Sequence, residues 1–361
     1  MRPVALPALI ALVSLGACLP EEPVGPAPET SILTLELDGS SPRFVDITAA
    51  AEVQEAEGWD IRIEGWGLFL NGGESGTGRA GGIDMELLDL TMDFEDLHRK
   101  NQVLYFFFYD AYACALSDWW WYALDGTHTL FSNYHTYIVR RGDRDFALQW
   151  LDYYQVIDGA AAAGYPQFRW AELPPDGSTP LISVDELDAT AGGLGSAPED
   201  PSNKWTYFSF DNGILDLTDE EAAVDPDWDL GFKRFYVKSN SGPSGPGGVL
   251  TTDFDADRGE EPEEVLDFTP DNQLDHFEAR MAAWDPSTPT PLAVDAIRPV
   301  LDRWVLGLPG SETNPATHDP SRWFLISDRS GEAVAKFRVL SFEGSDAVSP
   351  DRITLEWAVL E

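Results

Sequence analysis

Hydrophobic residues along this chain occur in short runs that have the pattern of β-strands. The runs are aromatic or β-branched and end at Gly, Pro, Asn or Asp; examples are 207–210, 235–237, 324–326 and 353–357. The Asp-Asn-Gly sequence at 211–213 is typical of a hairpin turn. Helical spacing is scarce, and the best candidates are 271–284 and 291–305. The pattern therefore predicts an all-β protein.

A second pattern is repetition. WDIRIEGWGLFLNGGESGTG at 59–78 is similar to WDLGFKRFYVKSNSGPSGPG at 228–247, an offset of 169 residues (228 − 59). Further on, 137–150 is similar to 324–337, and Trp170-Ala-Glu-Leu is similar to Trp357-Ala-Val-Leu, at an offset of 187 (357 − 170). Two alignable blocks thus flank a middle that is 18 residues longer in the second copy (187 − 169). This repetition predicts an internal duplication.

The duplication divides the chain into five ranges. We expect a lipoprotein signal peptide at 1–17, a lipidated Cys and Pro/Glu-rich tether at 18–31, a divergent β domain at 32–175, a linker at 176–202 and a second β domain at 203–361. Both domains are expected to be antiparallel with the same strand order. Trp59 should correspond to Trp228, and Trp170 to Trp357.

The N-terminus has the features of an export signal. Arg2 precedes an apolar run at 4–15, which is too short to span a bilayer, and Leu-Gly-Ala precedes Cys18. This sequence resembles the bacterial lipobox, in which the Cys is lipidated; the alternative is an ordinary signal peptide with a chance Cys. Leu19 follows the Cys where enteric inner-membrane lipoproteins have Asp. We therefore expect an outer-membrane lipoprotein that faces the periplasm or the cell surface and meets the membrane through its lipid alone.

Composition excludes several classes of function. The net charge of −40 and the pI near 4.1 disfavour nucleic acid and anionic headgroups. The sequence contains no G-x-S-x-G elbow, H-E-x-x-H motif or Cys/His cluster, so we expect no enzyme.

The acidic run 253–264 partly matches a calcium loop, because Asp occupies its positions 1, 3 and 5 and Glu its position 12. Arg258 replaces the required Gly, so no metal site is expected. With Cys18 lipidated, Cys114 has no intramolecular partner and is expected to be a buried thiol, with a reactive thiol as the alternative.

The repeated segments resemble the HmuY-like family of bacterial haem-binding lipoproteins. The resemblance is carried by the aromatic run at 205–210, the Trp-Asp and Asn-Ser-Gly-Pro-Ser-Gly motifs at 228–247 and the late hairpin at 328–337. The second copy is the closer match. The resemblance implies an all-β fold that binds haem b through two axial side chains, and an outer-membrane haem receptor as a partner. The recurring motifs contain no His, so they carry over no ligand.

Candidate ligands must therefore come from the segments between the alignable blocks, where all five His lie. Haem needs an apolar slot, axial donors and cations for its propionates. We expect His276 and His318 of the second copy to be axial ligands. Weaker candidates are His128, His135 and Met281. Each His also has a structural interpretation as an ordinary surface or structural residue.

The first copy has an unusual aromatic load at 104–109 and 119–122. These residues are either a core strand pair or the wall of a site for a flat apolar ligand. Arg140, Arg141 and Arg144 are available in sequence to meet carboxylates. The leading hypothesis is a surface lipoprotein that captures haem. The alternative is a non-catalytic adhesion or scaffold module of the same fold that has lost the ligand.

Overall fold

The computed structural model describes residues 26–85, 92–103, 105, 107–122, 129–174, 177–193, 203–259, 262–307, 309, 311, 314–319, 321–344 and 347–361. The predicted signal peptide and Cys18 lie outside the described residues, as do parts of the tether and the linker. Within the described ranges, no helix has both the length and the apolar character needed to cross a membrane.

The fold is mostly antiparallel β-structure, as predicted. The strands of the first half of the chain are β1 (Ser31–Glu36), β2 (Arg43–Asp46), β3 (Ala51–Val53), β4 (Ile61–Glu64), β5 (Gly67–Leu70), β6 (Gly82–Asp84), β7 (Ala111–Ala113), β8 (Trp120–Tyr122), β9 (Leu130–Ser132), β10 (Thr136–Arg141), β11 (Arg144–Ile157) and β12 (Ala160–Glu172). Those of the second half are β13 (Ile182–Val184), β14 (Thr206–Ser209), β15 (Gly213–Leu215), β16 (Leu230–Lys233), β17 (Tyr236–Ser239), β18 (Leu250–Asp253), β19 (Ala296–Arg298), β20 (Val305–Leu306), β21 (Thr317–His318), β22 (Phe324–Ser327), β23 (Val334–Glu343) and β24 (Arg352–Leu360).

Helices are few in the described part of the chain: α1 (Asp219–Ala222), α2 (Pro262–Val265) and α3 (Leu274–Ala283). The helix predicted at 271–284 is present as α3. The helix predicted at 291–305 is wrong. There Ala293 pairs with Thr251, and Asp295 is buried among serine hydroxyls. Pro299 also lacks the N–H that a continuing helix needs.

The chain forms two compact units, which we name by their place in the sequence. The central unit is Tyr112–Ile297, and the terminal unit comprises the described residues up to Ala111 together with Arg298–Glu361. The terminal unit contains the antiparallel sheets β3-β2-β4-β5 and β1-β24-β23-β22-β6. The central unit contains β15-β14-β16-β17 and β13-β12-β11-β10-β18. The two units therefore have the same strand order.

The sequence did not predict which half of the chain supplies the strands of each unit. In the terminal unit, β1 to β6 come from the first half of the chain, whereas β22 to β24 come from the second half. In the central unit, β10 to β12 come from the first half and β13 to β18 from the second. Each unit thus takes its final hairpin from the other half. The compact units cut across the ranges 32–175 and 203–361, which remain predictions about repeated sequence.

The two final hairpins also pair differently at their turns. A two-residue turn joins Arg141 to Arg144, whereas a six-residue turn joins Ser327 to Val334. The sequence offset is nevertheless the same on both sides of this difference. The longer turn between β22 and β23 is compensated by a span from Phe337 to Trp357 that is shorter than the span from Leu148 to Trp170. By strand pairing, Leu148 corresponds to Phe337. The offset there is 189 (337 − 148) rather than 187.

A buried Asn side chain gives each of the two Gly-rich tracts a structural role. The side-chain amide of Asn240 donates to the Trp228 carbonyl at 2.8 Å, and its Oδ1 accepts from the Gly247 N–H at 2.8 Å. Asn71 makes the equivalent bonds to Trp59 at 2.7 Å and Gly78 at 3.0 Å. A Cβ at Gly245 would lie 2.2 Å from the Asn240 Oδ1. The glycines therefore let the loop wrap around a buried amide.

Each unit has its own aromatic or aliphatic core. The central core includes Trp119, Trp150 and Phe232, all fully buried. The terminal core includes Ile61 and Trp357. Burial of each such side chain contributes roughly 1.5–3 kcal/mol before entropy is counted.

Candidate functional site

His276 lies on α3 in the central unit and is held by a carboxylate. Its Nε2 is 2.9 Å from Oδ2 of Asp255, which also accepts the Thr136 N–H at 2.7 Å. The Asp255 carboxylate is 4% exposed and meets Arg280 Nε at 2.8 Å. Burial opposes ionisation of Asp255, but the bonds from His276 and Thr136 outweigh it and lower the pKa of Asp255. Asp255 therefore fixes the orientation of the imidazole.

His135 lies beside the same turn of the central unit. Its Nδ1 is 2.8 Å from Oδ2 of Asp253, two residues before Asp255. The structure thus brings two candidate imidazoles to one acidic turn, each against its own carboxylate. Among the described residues, no group of three or more His, Cys, Asp or Glu is arranged to hold a metal ion. His128, the other weaker candidate of this segment, lies outside the described residues.

His318 belongs to the terminal unit. It pairs with Val305 across a two-stranded ribbon, and its Nε2 lies 2.8 Å from the Leu340 carbonyl oxygen. Its ring packs at 5.6 Å, edge to face, against Phe342. His276 and His318 therefore lie in different compact units, which the sequence did not indicate.

An aromatic cluster lies next to His318, which contacts it through Phe342. Trp66 stacks on Trp304 at 5.9 Å, and Phe342 meets both rings edge-on, at 5.2 Å and 5.8 Å. The Trp304 indole N–H donates to the Trp66 carbonyl at 3.1 Å, which fixes that ring. Trp304 is a buried member of the terminal core, and Trp66 and Phe342 pack against that core, so this aromatic cluster is core structure beside His318.

The aromatic run of the first copy has a structural role where it is described. Trp119 is fully buried, stacks on Trp150 at 4.7 Å and donates its indole N–H to the Phe235 carbonyl at 3.0 Å. The interpretation of this run as core is therefore the one that fits Trp119. Leu104 and Phe106 of the same run lie outside the described residues.

The three arginines of the first copy are engaged in ion pairs. Arg140 meets Asp145 at 2.6 Å. Arg141 and Arg144 both bind Asp211, at 3.0 and 2.7 Å. Cations already bound to carboxylates are poorly placed to receive haem propionates.

Met281 lines a groove between α3 and the turn before β13. The groove has a volume of about 570 Å³, and its floor includes Leu173 and Met281. Trp284 and Glu278 line the α3 side. None of its described lining residues is Lys, Arg or His. The groove therefore lacks the cations that a dianionic haem would need among its described lining residues.

Sequence reasoning missed the carboxylates that hold the imidazoles. Asp253 and Asp255 open the acidic run, which had drawn attention only for its partial likeness to a calcium loop. Asp253 ends β18 and Asp255 lies in the turn that follows, so strand alternation gave no signal that both would meet imidazoles. Cys114 is buried, as expected.

These features define a class: a chain of two all-β units, each with a four-stranded and a five-stranded antiparallel sheet. Residues 201–357 match the model of the HmuY protein family, a match that includes His276 and His318. No curated protein matches. A solved structure described as an HmuY-like haem-binding protein from Bacteroides vulgatus is 16% identical, with 43% of this chain and 84% of that chain covered and a TM-score of 0.15.

Proposed function

We propose that this chain is a non-catalytic lipoprotein that binds haem. The observation that carries the proposal is the HmuY family match over residues 201–357. Both preferred ligand candidates lie within that range. The low TM-score of the similar solved structure adds nothing to this argument.

The orientation of the two candidate imidazoles supports the proposal. In His276 and His318 alike, Nε2 is bonded to a protein oxygen, which leaves Nδ1 as the ring nitrogen for a metal. Ligating histidines usually donate their other N–H to a carboxylate or carbonyl, which fixes the tautomer and the ring orientation. Asp255 and the Leu340 carbonyl would have this role. Bound haem b would supply an iron with axial positions for imidazole.

The anchoring part of the proposal rests on the N-terminal sequence. Lipid on Cys18 and the Pro/Glu-rich tether would hold the β units at the outer membrane while leaving them in the aqueous phase. Haem bound there would be passed to an outer-membrane receptor.

A hemin titration of the lipid-free protein tests the proposal. The protein is residues 18–361 with Cys18→Ser. We expect saturable binding with a sharpened Soret band of low-spin, six-coordinate haem at micromolar affinity or better. A spectrum equal to that of hemin in buffer at every protein concentration would refute haem binding.

A non-catalytic adhesion or scaffold module is the second candidate, and the ion pairs of Arg140, Arg141 and Arg144 favour it, because each of these cations is already bound to a carboxylate. The net charge of −40 also opposes a dianionic ligand. The hemin titration distinguishes the two, because this module would give no saturable change.

A further inference from the structure

The turn that joins β14 to β15 in the central unit contains an exposed Asn-Gly dipeptide. Ser209 pairs with Gly213 across this turn, and β15 is an edge strand of its four-stranded sheet. Asn212 is exposed, and Gly213 has a φ of 72°. No described atom lies within 4 Å of the position that a Cβ on Gly213 would take. The peptide bond between Asn212 and Gly213 therefore lies in an open turn that water can reach.

An Asn-Gly dipeptide can react with itself, because the backbone nitrogen of the glycine can attack the Cγ of the asparagine. Glycine favours this attack, since it has no Cβ to shield the nitrogen and its backbone adopts a wide range of conformations. A C–N bond forms to close a cyclic succinimide, and the side-chain amide takes the proton of the attacking N–H and leaves as ammonia. Water then opens one of the two C–N bonds of the ring, which gives aspartate or isoaspartate. Water is thus the co-reactant.

The sequence contains one other Asn-Gly dipeptide, Asn71-Gly72, and the structure holds it in the opposite state. Asn71 is 8% exposed, and both ends of its side-chain amide are hydrogen-bonded within the Gly-rich tract. The Gly72 N–H, which would be the attacking group, donates to the Leu70 carbonyl at 2.8 Å. Attack at Asn71 therefore requires local opening that breaks these bonds, and such opening costs free energy.

We propose that Asn212 is a site of spontaneous modification, at which the folded protein converts asparagine to aspartate and isoaspartate while Asn71 is preserved. This inference does not depend on haem binding. Conversion places a new carboxylate next to Asp211, in a cluster where four carboxyl groups already share the guanidinium groups of Arg141 and Arg144. The isoaspartate product also lengthens the backbone of the turn between β14 and β15. The modified protein therefore differs in charge and in backbone length at the edge of this sheet.

Isotope labelling during incubation of the folded protein tests the proposal. Residues 18–361 with Cys18→Ser are incubated in mildly alkaline H₂¹⁸O and then digested with trypsin in ordinary water. Only conversions that occur in the folded protein then carry ¹⁸O, because water supplies an oxygen of the new carboxylate. The tryptic peptides 205–233 and 63–79 contain Asn212 and Asn71, and mass spectrometry after chromatographic separation of the aspartate and isoaspartate forms measures both. We expect Asn212 to convert at least about tenfold faster than Asn71, since Asn71 must first open locally.

The same incubation in guanidinium chloride is the matched control, because it removes the fold and leaves both Asn-Gly dipeptides in place. Each rate in the folded protein is divided by the rate of the same asparagine in the unfolded protein, which cancels the effect of neighbouring sequence. Asn212→Gln should abolish the labelled product in peptide 205–233, since glutamine cannot close the same ring. The proposal is wrong if, after this division, Asn212 converts no faster than Asn71. It is also wrong if Asn212 stays unlabelled in the folded protein over the time that largely converts it in guanidinium chloride.

Discussion

The carboxylate of Asp295 accepts the backbone N–H of Ser239 at 2.8 Å. It also accepts the hydroxyls of Ser239 and Ser244. In the terminal unit, Asp110 accepts the N–H of Leu70 at 2.8 Å, and Leu70 precedes Ser239 by the repeat offset of 169 residues (239 − 70). A buried aspartate thus accepts a backbone hydrogen bond next to the start of each Gly-rich tract.

These two aspartates predict a dependence of stability on pH. Burial raises the pKa of Asp110 and of Asp295 to about 6, despite the hydrogen bonds that they accept. A raised pKa in the folded state means that the folded protein binds more protons. The contribution to stability is therefore complete below about pH 4 and is lost as the pH rises through about 6.

Asp295→Asn removes this titration from the central unit. We expect the free energy of unfolding of the variant, relative to the unchanged protein, to rise by about 1–2 kcal/mol between pH 4.5 and 7.5. Urea unfolding at a series of pH values measures the difference. Asp257→Asn, at an exposed aspartate of the same unit, is the control. A difference for Asp295→Asn that does not change with pH would contradict the assignment.

The hydrophobic pattern predicted the strands, but it did not predict which of the repeated strands pair with each other. Alternation specifies which face of a strand is buried, and both halves of the chain carry the same alternation at corresponding strands. Alternation alone therefore does not specify which hairpin completes which five-stranded sheet. The exchange of β10–β12 and β22–β24 between halves depends on connections such as 174–203, whose geometry composition does not specify.

The candidate site was predicted at the level of residue types. His276 and His318 were chosen because they lie outside the alignable blocks of the second copy, which is the closer family match, but their partners are distant in sequence. Asp255 is 21 residues from His276, and Leu340 is 22 residues from His318. Such contacts follow from how α3 and β21 pack, and a single sequence gives no measure of that packing.

Exchange of the hairpins predicts that neither half of the chain folds alone as it does in the intact protein. Residues 26–193 lack β22–β24, and residues 203–361 lack β10–β12. Expressed together, the two fragments should form a stable one-to-one complex, because each unit needs strands from both. Size-exclusion chromatography with light scattering measures the stoichiometry. Two separate, folded monomers from the mixture would show that each half closes on its own hairpin.

Trp170 and Trp357 hold corresponding positions in the two final hairpins, and we expect their indole N–H groups to contribute differently to the free energy of unfolding. The Trp357 indole N–H donates to the Ile47 carbonyl at 2.8 Å, whereas the buried Trp170 indole nitrogen has no hydrogen-bond partner among the residues that the structure describes. Trp357→Phe leaves a buried carbonyl unpaired and should cost about 1–3 kcal/mol more than Trp170→Phe. Urea unfolding of both variants measures this difference. Equal losses would mean that only ring volume matters.

The last prediction identifies the histidines on which haem binding depends. His276→Ala combined with His318→Ala should abolish the low-spin Soret spectrum in a hemin titration. His128→Ala combined with His135→Ala should leave it, because His128 and His135 come from the divergent first copy. Each single variant, His276→Ala or His318→Ala, is titrated separately, because the two histidines belong to different compact units.

Asp255→Asn refines this test, because it keeps His276 while weakening the contact that orients its ring. It should reduce hemin affinity by about tenfold, as loss of an orienting partner does at other metal sites. Far-UV circular dichroism checks that the variant is folded, since Asp255 also binds the Thr136 N–H. Loss of the spectrum in the His128→Ala, His135→Ala protein, with retention in the His276→Ala, His318→Ala protein, would instead assign the ligands to the first copy.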